Sequence, residues 1–170
     1  STSIGIATSK DLVHWTKYGP VFPPSDRAAF YSYKSSGIVT HLVDGRLIAA
    51  RIHGKFWMYF MADAKDRPGQ MGVAWSTDLI HWTEALDRPL LATRPGLFDA
   101  RVAEPGPPPI LTERGILLVY NGADENLVYR TGWVLLDRND PAHVLARADR
   151  PIFAPGQSWE KIGQVLNVVF

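Results

Sequence analysis

The sequence predicts an all-β chain built by radial repetition of small antiparallel sheets, a β-propeller. Three observations lead there: a repeated twelve-residue segment, many short apolar runs separated by turn residues, and no convincing helical periodicity. The segment GIATSKDLVHWT at residues 5–16 returns as GVAWSTDLIHWT at 72–83, a constant offset of 67 with eight of the twelve positions identical. Each copy holds an apolar run for a strand, a Ser-x-Asp turn whose carboxylate can cap backbone N–H groups, and a His-Trp pair that opens the next strand.

A proline and an apolar triplet then follow, as GPVF at 19–22 and RPLL at 88–91. The segments GWVLLD at 132–137, NDP at 139–141 and RPIF at 150–153 form a third, more diverged copy. Between the copies lie further strand candidates, 37–40, 46–50, 55–60 and 116–120, and Val43-Asp-Gly-Arg46 reads as the turn of an additional hairpin. The 14 glycines and 13 prolines fall between these runs at turn-like spacings. Four strands per unit and a period of about 60–67 residues fit a propeller blade; the alternative is a plain β-sandwich with a chance hairpin similarity. The chain then holds the end of one blade (1–24), a second blade (25–92), a third (93–155) and the start of another (156–170). Such a partial ring leaves open edges, so it is expected to be part of a longer ring or to close with a partner, a homo-oligomer included.

With 170 residues, 46% of them hydrophobic, the chain can bury one sizeable core. Lys and Arg number 18 against 17 Asp and Glu, so no nucleic-acid or anionic-membrane partner is expected. Cysteine is absent, which removes disulfides, thiolate catalysis and Cys-ligated zinc. No apolar run approaches the ~18 residues of a membrane span, and the chain reads as soluble. It begins on the strand-like IGIATS and stops on LNVVF without a polar tail, so it is expected to be cut at both ends. The five histidines lack metal-ligand spacing, and no nucleotide-binding glycine loop is present.

GIATSKDLVHW, the Lys34-Ser35 stretch, HGKFWMYF, GVAWSTDLIHW, EPGPPPILTERGILLVYNG, YRTGWVLLDRNDP and GQVLNVVF together resemble glycoside hydrolase family 130. The resemblance covers essentially the whole chain and implies a five-bladed propeller that cleaves β-mannosidic bonds with inversion. Inversion needs one acid to protonate the leaving oxygen and a nucleophile arriving from the opposite face of the sugar. If water is the nucleophile, a carboxylate must activate it; if inorganic phosphate is the co-substrate, cations and amides must hold it. No other cofactor and no metal is expected, and the partner is an oligosaccharide. Many members of the family act on imported oligosaccharides, so the resemblance leans toward the cytoplasm without fixing the compartment. Its general-acid Asp is expected in a segment preceding the first repeat copy. Asp11 and Asp78 do not take that role, because their Ser-x-Asp context makes them turn caps.

Glu104 is the candidate base. Its context, RVAEPGPPP at 101–109, is similar to family members that look like β-1,2-mannosidases. A neighbouring Arg101 would hold the carboxylate ionised; the plainer reading is a surface ion pair. Asp99 and Arg101 are expected on one face of a strand, aimed at the cavity, with one of the two structural. Lys34 falls where phosphorylases of the family carry a phosphate-contacting lysine. Asn121 stands where many of them have histidine, a departure toward the hydrolase-like pattern, so hydrolysis is expected ahead of phosphorolysis. Tyr129 and Arg130 are candidates for sugar or phosphate contact, against core packing for the first and a surface role for the second. Asn167 is a further inner-strand polar candidate from the resemblance. Trp15, Trp57 and Trp82 are read as core, and Trp75 and Trp133 as candidates to face a sugar. The proline run should form a stiff strut, unable to pair as an interior strand, that aims Glu104. The contrasting reading for the whole chain is a non-catalytic glycan-binding or assembly module.

Overall fold

The computed structural model describes residues 2–22, 31–64, 67–164 and 166–168. Among them the fold is all-β. The strands are β1 (Gly5–Thr8), β2 (Thr16–Pro20), β3 (Tyr31–Ile38), β4 (Thr40–Val43), β5 (Arg46–Ala49), β6 (Phe56–Ala64), β7 (Arg67–Ser76), β8 (Thr83–Glu84), β9 (Val102–Pro105), β10 (Ile110–Thr112), β11 (Gly115–Ala123), β12 (Tyr129–Leu136) and β13 (Val144–Arg147). The described helical structure is one 3-10 turn, Ser158–Lys161, where the sequence suggests an opening strand. Part of that expected strand, residues 165, 169 and 170, lies outside the described residues, as does the expected blade boundary at 24/25.

Two four-stranded antiparallel meanders dominate: β3-β6-β7-β8 and β9-β11-β12-β13. They touch through the parallel pair Gly69↔Val102. The β4–β5 hairpin, anticipated from Val43-Asp-Gly-Arg46, is inserted in the chain between the paired strands β3 and β6; Asp44 (φ 47°) and Gly45 (φ 75°) supply the left-handed backbone a two-residue hairpin turn needs. It joins the second meander through Ile110↔Thr40.

Burial on both faces explains why β6 is apolar from Phe56 to Met61. Phe56, Met58 and Phe60 face one core with Tyr33, Ala74 and Trp82, while Tyr59 faces the other with Met71 and Val73. The second core continues into Ala103, Ile116, Leu118, Tyr120, Val134 and Leu136, so it is the layer that binds one meander to the other. Gly72 and Gly132 make room in these layers: a Cβ at either would stand 2.5 Å from Phe60 Cζ or Phe98 Cζ, respectively.

The repeated segments fold identically. In the first, Ser9 Oγ accepts from the Leu12 amide, Asp11 Oδ1 accepts from the amides of Val13 and His14, and Asp11 Oδ2 meets His14 Nδ1 at 2.7 Å. Ser76, Asp78, Leu79, Ile80 and His81 reproduce every one of these contacts. Asp11 and Asp78 are therefore turn caps. Their tryptophans diverge: Trp82 is 3% exposed whereas Trp15 is 52% exposed, which corrects the expectation that both are core. Each indole donates to the Leu carbonyl three residues earlier, so the local turn is the same and only the neighbouring layer differs.

Candidate functional site

Glu104 sits on β9 between buried Ala103 and buried Pro105, itself half-buried. The expectation that the proline segment cannot pair inside a sheet is corrected for its first residues. Val102–Pro105 is an interior strand, paired to β11 with Glu104 opposite Asn121 and Pro105 opposite Tyr120. Pro105 has no N–H to give, and the ladder asks for none there: Gly106 donates to the Val119 carbonyl, and in an antiparallel pair alternate amides point away from the partner strand. Further along, the Pro109 carbonyl accepts from both the amide and the hydroxyl of Thr40. Gly37 permits this close approach, since a Cβ there would lie 2.9 Å from Pro109 Cδ. The prolines are thus clamped against β3 and β4.

A β-bulge on β3 completes the clamp. The register slips between Lys34 and Ser36, and Ser35 takes φ 47°. Bulges re-aim side chains next to functional sites. Here Ser35 Oγ donates to Glu104 Oε2 at 3.2 Å across the two meanders. Lys34, adjacent to the bulge, is exposed.

Strand register sorts the remaining candidates. Directly paired residues project to the same side of a sheet, so Glu104, Asn121 and Thr131 form a row across β9, β11 and β12. Asn121 is 9% exposed and Thr131 5%, and Asn121 Oδ1 and Thr131 Oγ1 have no hydrogen-bond partner among the described residues. An unpaired buried polar atom costs about 1–3 kcal/mol, so the two, in one row with a carboxylate, are the candidates for a site on this face. Tyr129 belongs to the same face through Ala123. Burial first, then the charges of Glu104 and Asp63, push its hydroxyl above the ordinary tyrosine range. It therefore stays protonated and able to donate. The Asn167 carbonyl accepts from the Tyr129 amide, and Asn167 itself holds φ 57°.

Arg130 and Asp99 lie elsewhere. Arg130 is paired with Gly122, on the side opposite Glu104, and donates to Asp124 Oδ2 at 2.6 Å. Asp99 precedes the strand, in a turn, so Asp99 and Arg101 do not share a strand face as expected. It is fully buried and gathers Arg94 at 2.9 Å, Arg147 at 2.5 Å and the Tyr120 hydroxyl at 2.7 Å. Burial pushes that hydroxyl up to about 12, with Arg147 pulling it down and Asp99 raising it, so it remains a donor. Arg101 is exposed and forms no ion pair with Glu104; its amide donates to the Ala123 carbonyl. Among the described residues no group of three or more His, Cys, Asp or Glu could hold a metal ion.

The sequence reading missed Ser35, Asp63 and Thr131. A Ser next to a lysine carries no signal until a bulge points it at a carboxylate on another meander. Thr131 could have been found from the pairing of the two strands it joins, since it stands opposite Asn121.

The family pattern that matches residues 1–170 is described as beta-1,4-mannooligosaccharide phosphorylase. A 1,2-beta-oligomannan phosphorylase of Thermoanaerobacter sp. is 35% identical over 98% of this chain and 49% of its own length. A putative glycosidase of Bacteroides thetaiotaomicron superposes with TM-score 0.83 at 40% identity, covering 95% of this chain and 50% of that one. A structure from work describing mannoside phosphorylases and glycoside hydrolases that target beta-1,2 mannosidic linkages in Candida mannan has TM-score 0.83 at 36% identity, over 97% and 49%. The chain thus spans about half the length of these relatives.

Proposed function

The chain belongs to glycoside hydrolase family 130, and from that premise we propose that the protein containing it cleaves β-1,2-mannosidic bonds with inversion at the anomeric carbon. The observation that carries this reading is the row Glu104–Asn121–Thr131, with Glu104 held by Ser35 from the facing meander and its two buried neighbours carrying unpaired oxygens. Such a row suits a polyhydroxylated substrate, whose hydroxyls both donate and accept.

Phosphorolysis is the first reading, because curated relatives that match almost the whole chain are an oligomannan phosphorylase and a mannobiose phosphorylase. It displaces the hydrolysis that Asn121 and Glu104 favour from sequence alone. A phosphate oxygen attacks the anomeric carbon from the face opposite the leaving sugar, the C–O bond to that sugar breaks, and a general acid donates a proton to the departing oxygen. The products are mannose 1-phosphate and the shortened mannoside. Within this chain, exposed Lys34 and the protonated Tyr129 hydroxyl are the groups to hold the phosphate. Arg130 is not, since it stands behind the sheet on Asp124.

Hydrolysis is the second reading, and Glu104 itself favours it. A carboxylate fixed by a single serine hydrogen bond keeps lone pairs free to take a proton from water. We also propose that each four-stranded meander is one blade of a five-bladed ring, with 1–24 and 156–170 belonging to the flanking blades, an architecture common to both readings. The test uses full-length protein and β-1,2-mannobiose with and without phosphate. Mannose 1-phosphate formed only when phosphate is present establishes phosphorolysis; mannose released at the same rate without phosphate overturns it in favour of water. A Glu104→Gln variant should lose about 10²–10⁴-fold in rate if Glu104 is the base.

A further inference from the structure

On the face of the second meander that points away from Glu104 lies an open cavity of about 400 Å³, in the range of small-molecule clefts. Its walls divide by chemistry. Leu97, Phe98 and Pro151 provide apolar surface, while Asp124, Asn126 and Arg130 provide polar groups. These polar groups are built rather than incidental. Asp124 Oδ1 accepts from the amides of Asn126 and Val128, and its Oδ2 accepts from Arg130, so one carboxylate fixes both the loop and the guanidinium. Burial works against the Asp124 charge, but the Arg130 hydrogen bond and the two amides outweigh it. Phe98 is in turn fixed from behind by Tyr120, at 5.9 Å between ring centroids, and by the bare faces of Gly122 and Gly132.

The balance of charge selects the ligand. Asp124 and Glu125 both line the cavity against one cation, Arg130, so an anion would meet net negative charge. A neutral polyol meets acceptors in the carboxylates, donors in Asn126 and Arg130, and an apolar wall for its C–H face. We propose that this cavity is an accessory carbohydrate site that takes one neutral mannosyl unit of a longer oligosaccharide, away from the reaction centre at Glu104. The inference rests on the mannoside reading given above. Asn121 pairs with Glu104, and Asp124 follows it by three residues, so the two sites are offset by about 10 Å along the strands, on opposite faces of the sheet. Retention of one end of a chain there would raise the local concentration of the other end at Glu104.

The test is calorimetric binding of β-1,2-mannobiose and β-1,2-mannotetraose to full-length protein, wild type and two occluding variants, Asn126→Trp and Leu97→Trp. Asn126 is an exposed loop residue whose structural bond is made by its backbone, so the larger side chain leaves the fold in place, and an unchanged thermal midpoint checks this. Wild type should bind the tetraose more tightly than the biose, and Asn126→Trp should reduce that preference by about tenfold, with Leu97→Trp acting in the same direction. An unchanged ratio in both variants overturns the proposal, as does a wild type that binds neither sugar. Tight binding with no turnover would instead refute the mannoside-cleaving reading while leaving the site intact.

Discussion

Asp99 binds more tightly into this molecule than any other carboxylate described. Two guanidiniums and a phenol converge on it from Arg94, Arg147 and Tyr120, so it ties the lead-in to β9 to the last strand of the same meander. Removing one partner of a buried pair leaves the other charges without compensation, a loss of about 3–5 kcal/mol. Asp99→Asn should therefore lower the unfolding free energy by that much, read from urea midpoints at constant slope, whereas Glu104→Gln should leave it within about 0.5 kcal/mol while cutting the rate if Glu104 is the base. Equal stability losses in the two variants would contradict this division of roles. Both acids were legible in the sequence as candidates for a cavity. What separated them was burial and company: Asp99 has zero exposure and two arginines, whereas half-buried Glu104 has one serine hydroxyl as its hydrogen-bond partner among the described residues. No spacing rule encodes that, because Arg147 lies 48 residues from Asp99 and Ser35 lies 69 from Glu104.

At the scale of elements, the Ser-x-Asp-x-x-His turn is the most legible unit. Its bonds are local, all within three residues, so the repeated words of the sequence determine them wherever they occur. Packing of the strands on either side is not local. Gly132 lets β12 lie against the Phe98 ring, and a Cβ there would stand 2.5 Å from Phe98 Cζ and 3.0 Å from Tyr120 Cε1. Gly132→Ala is expected to destabilise the protein by about 1–3 kcal/mol through overpacking, read as a fall in urea midpoint. The same change should weaken sugar binding at the neighbouring cavity, because Phe98 is one of its walls. The proline segment shows how far local chemistry goes. Its stiffness was predictable from composition, but Val102–Pro105 still pairs with β11 because Pro105 falls at a position where the antiparallel ladder needs no amide from it.

Across the whole molecule, two features set behaviour in solution. Asp11 and Asp78 are held below their ordinary value of 3.8, foremost by the side chains of His14 and His81, and Asp137 by the amide of Asn139. A depressed folded-state value means the unfolded chain takes up protons first as pH falls. These contributions are complete above about pH 4 and are lost as pH drops through the folded values, so the urea midpoint should be lower at pH 3 than at pH 6. Identical midpoints would refute the sign. The second feature is apolar surface. Leu12, Val13 and Trp15 are exposed near the first strands, and Ile152, Phe153 and Trp159 near the last, each by about half or more. The 170-residue chain should sediment as more than a monomer, and a monomer at all concentrations would count against this reading. By itself the sequence determined what depends on near neighbours: the all-β class, the repeated turns, the hairpin at Asp44-Gly45 and the family. Only the tertiary structure decided which face each strand residue takes and which charges meet. Register and layer packing are set by contacts between residues far apart in the chain, and a one-residue slip in a strand moves every side chain to the other side.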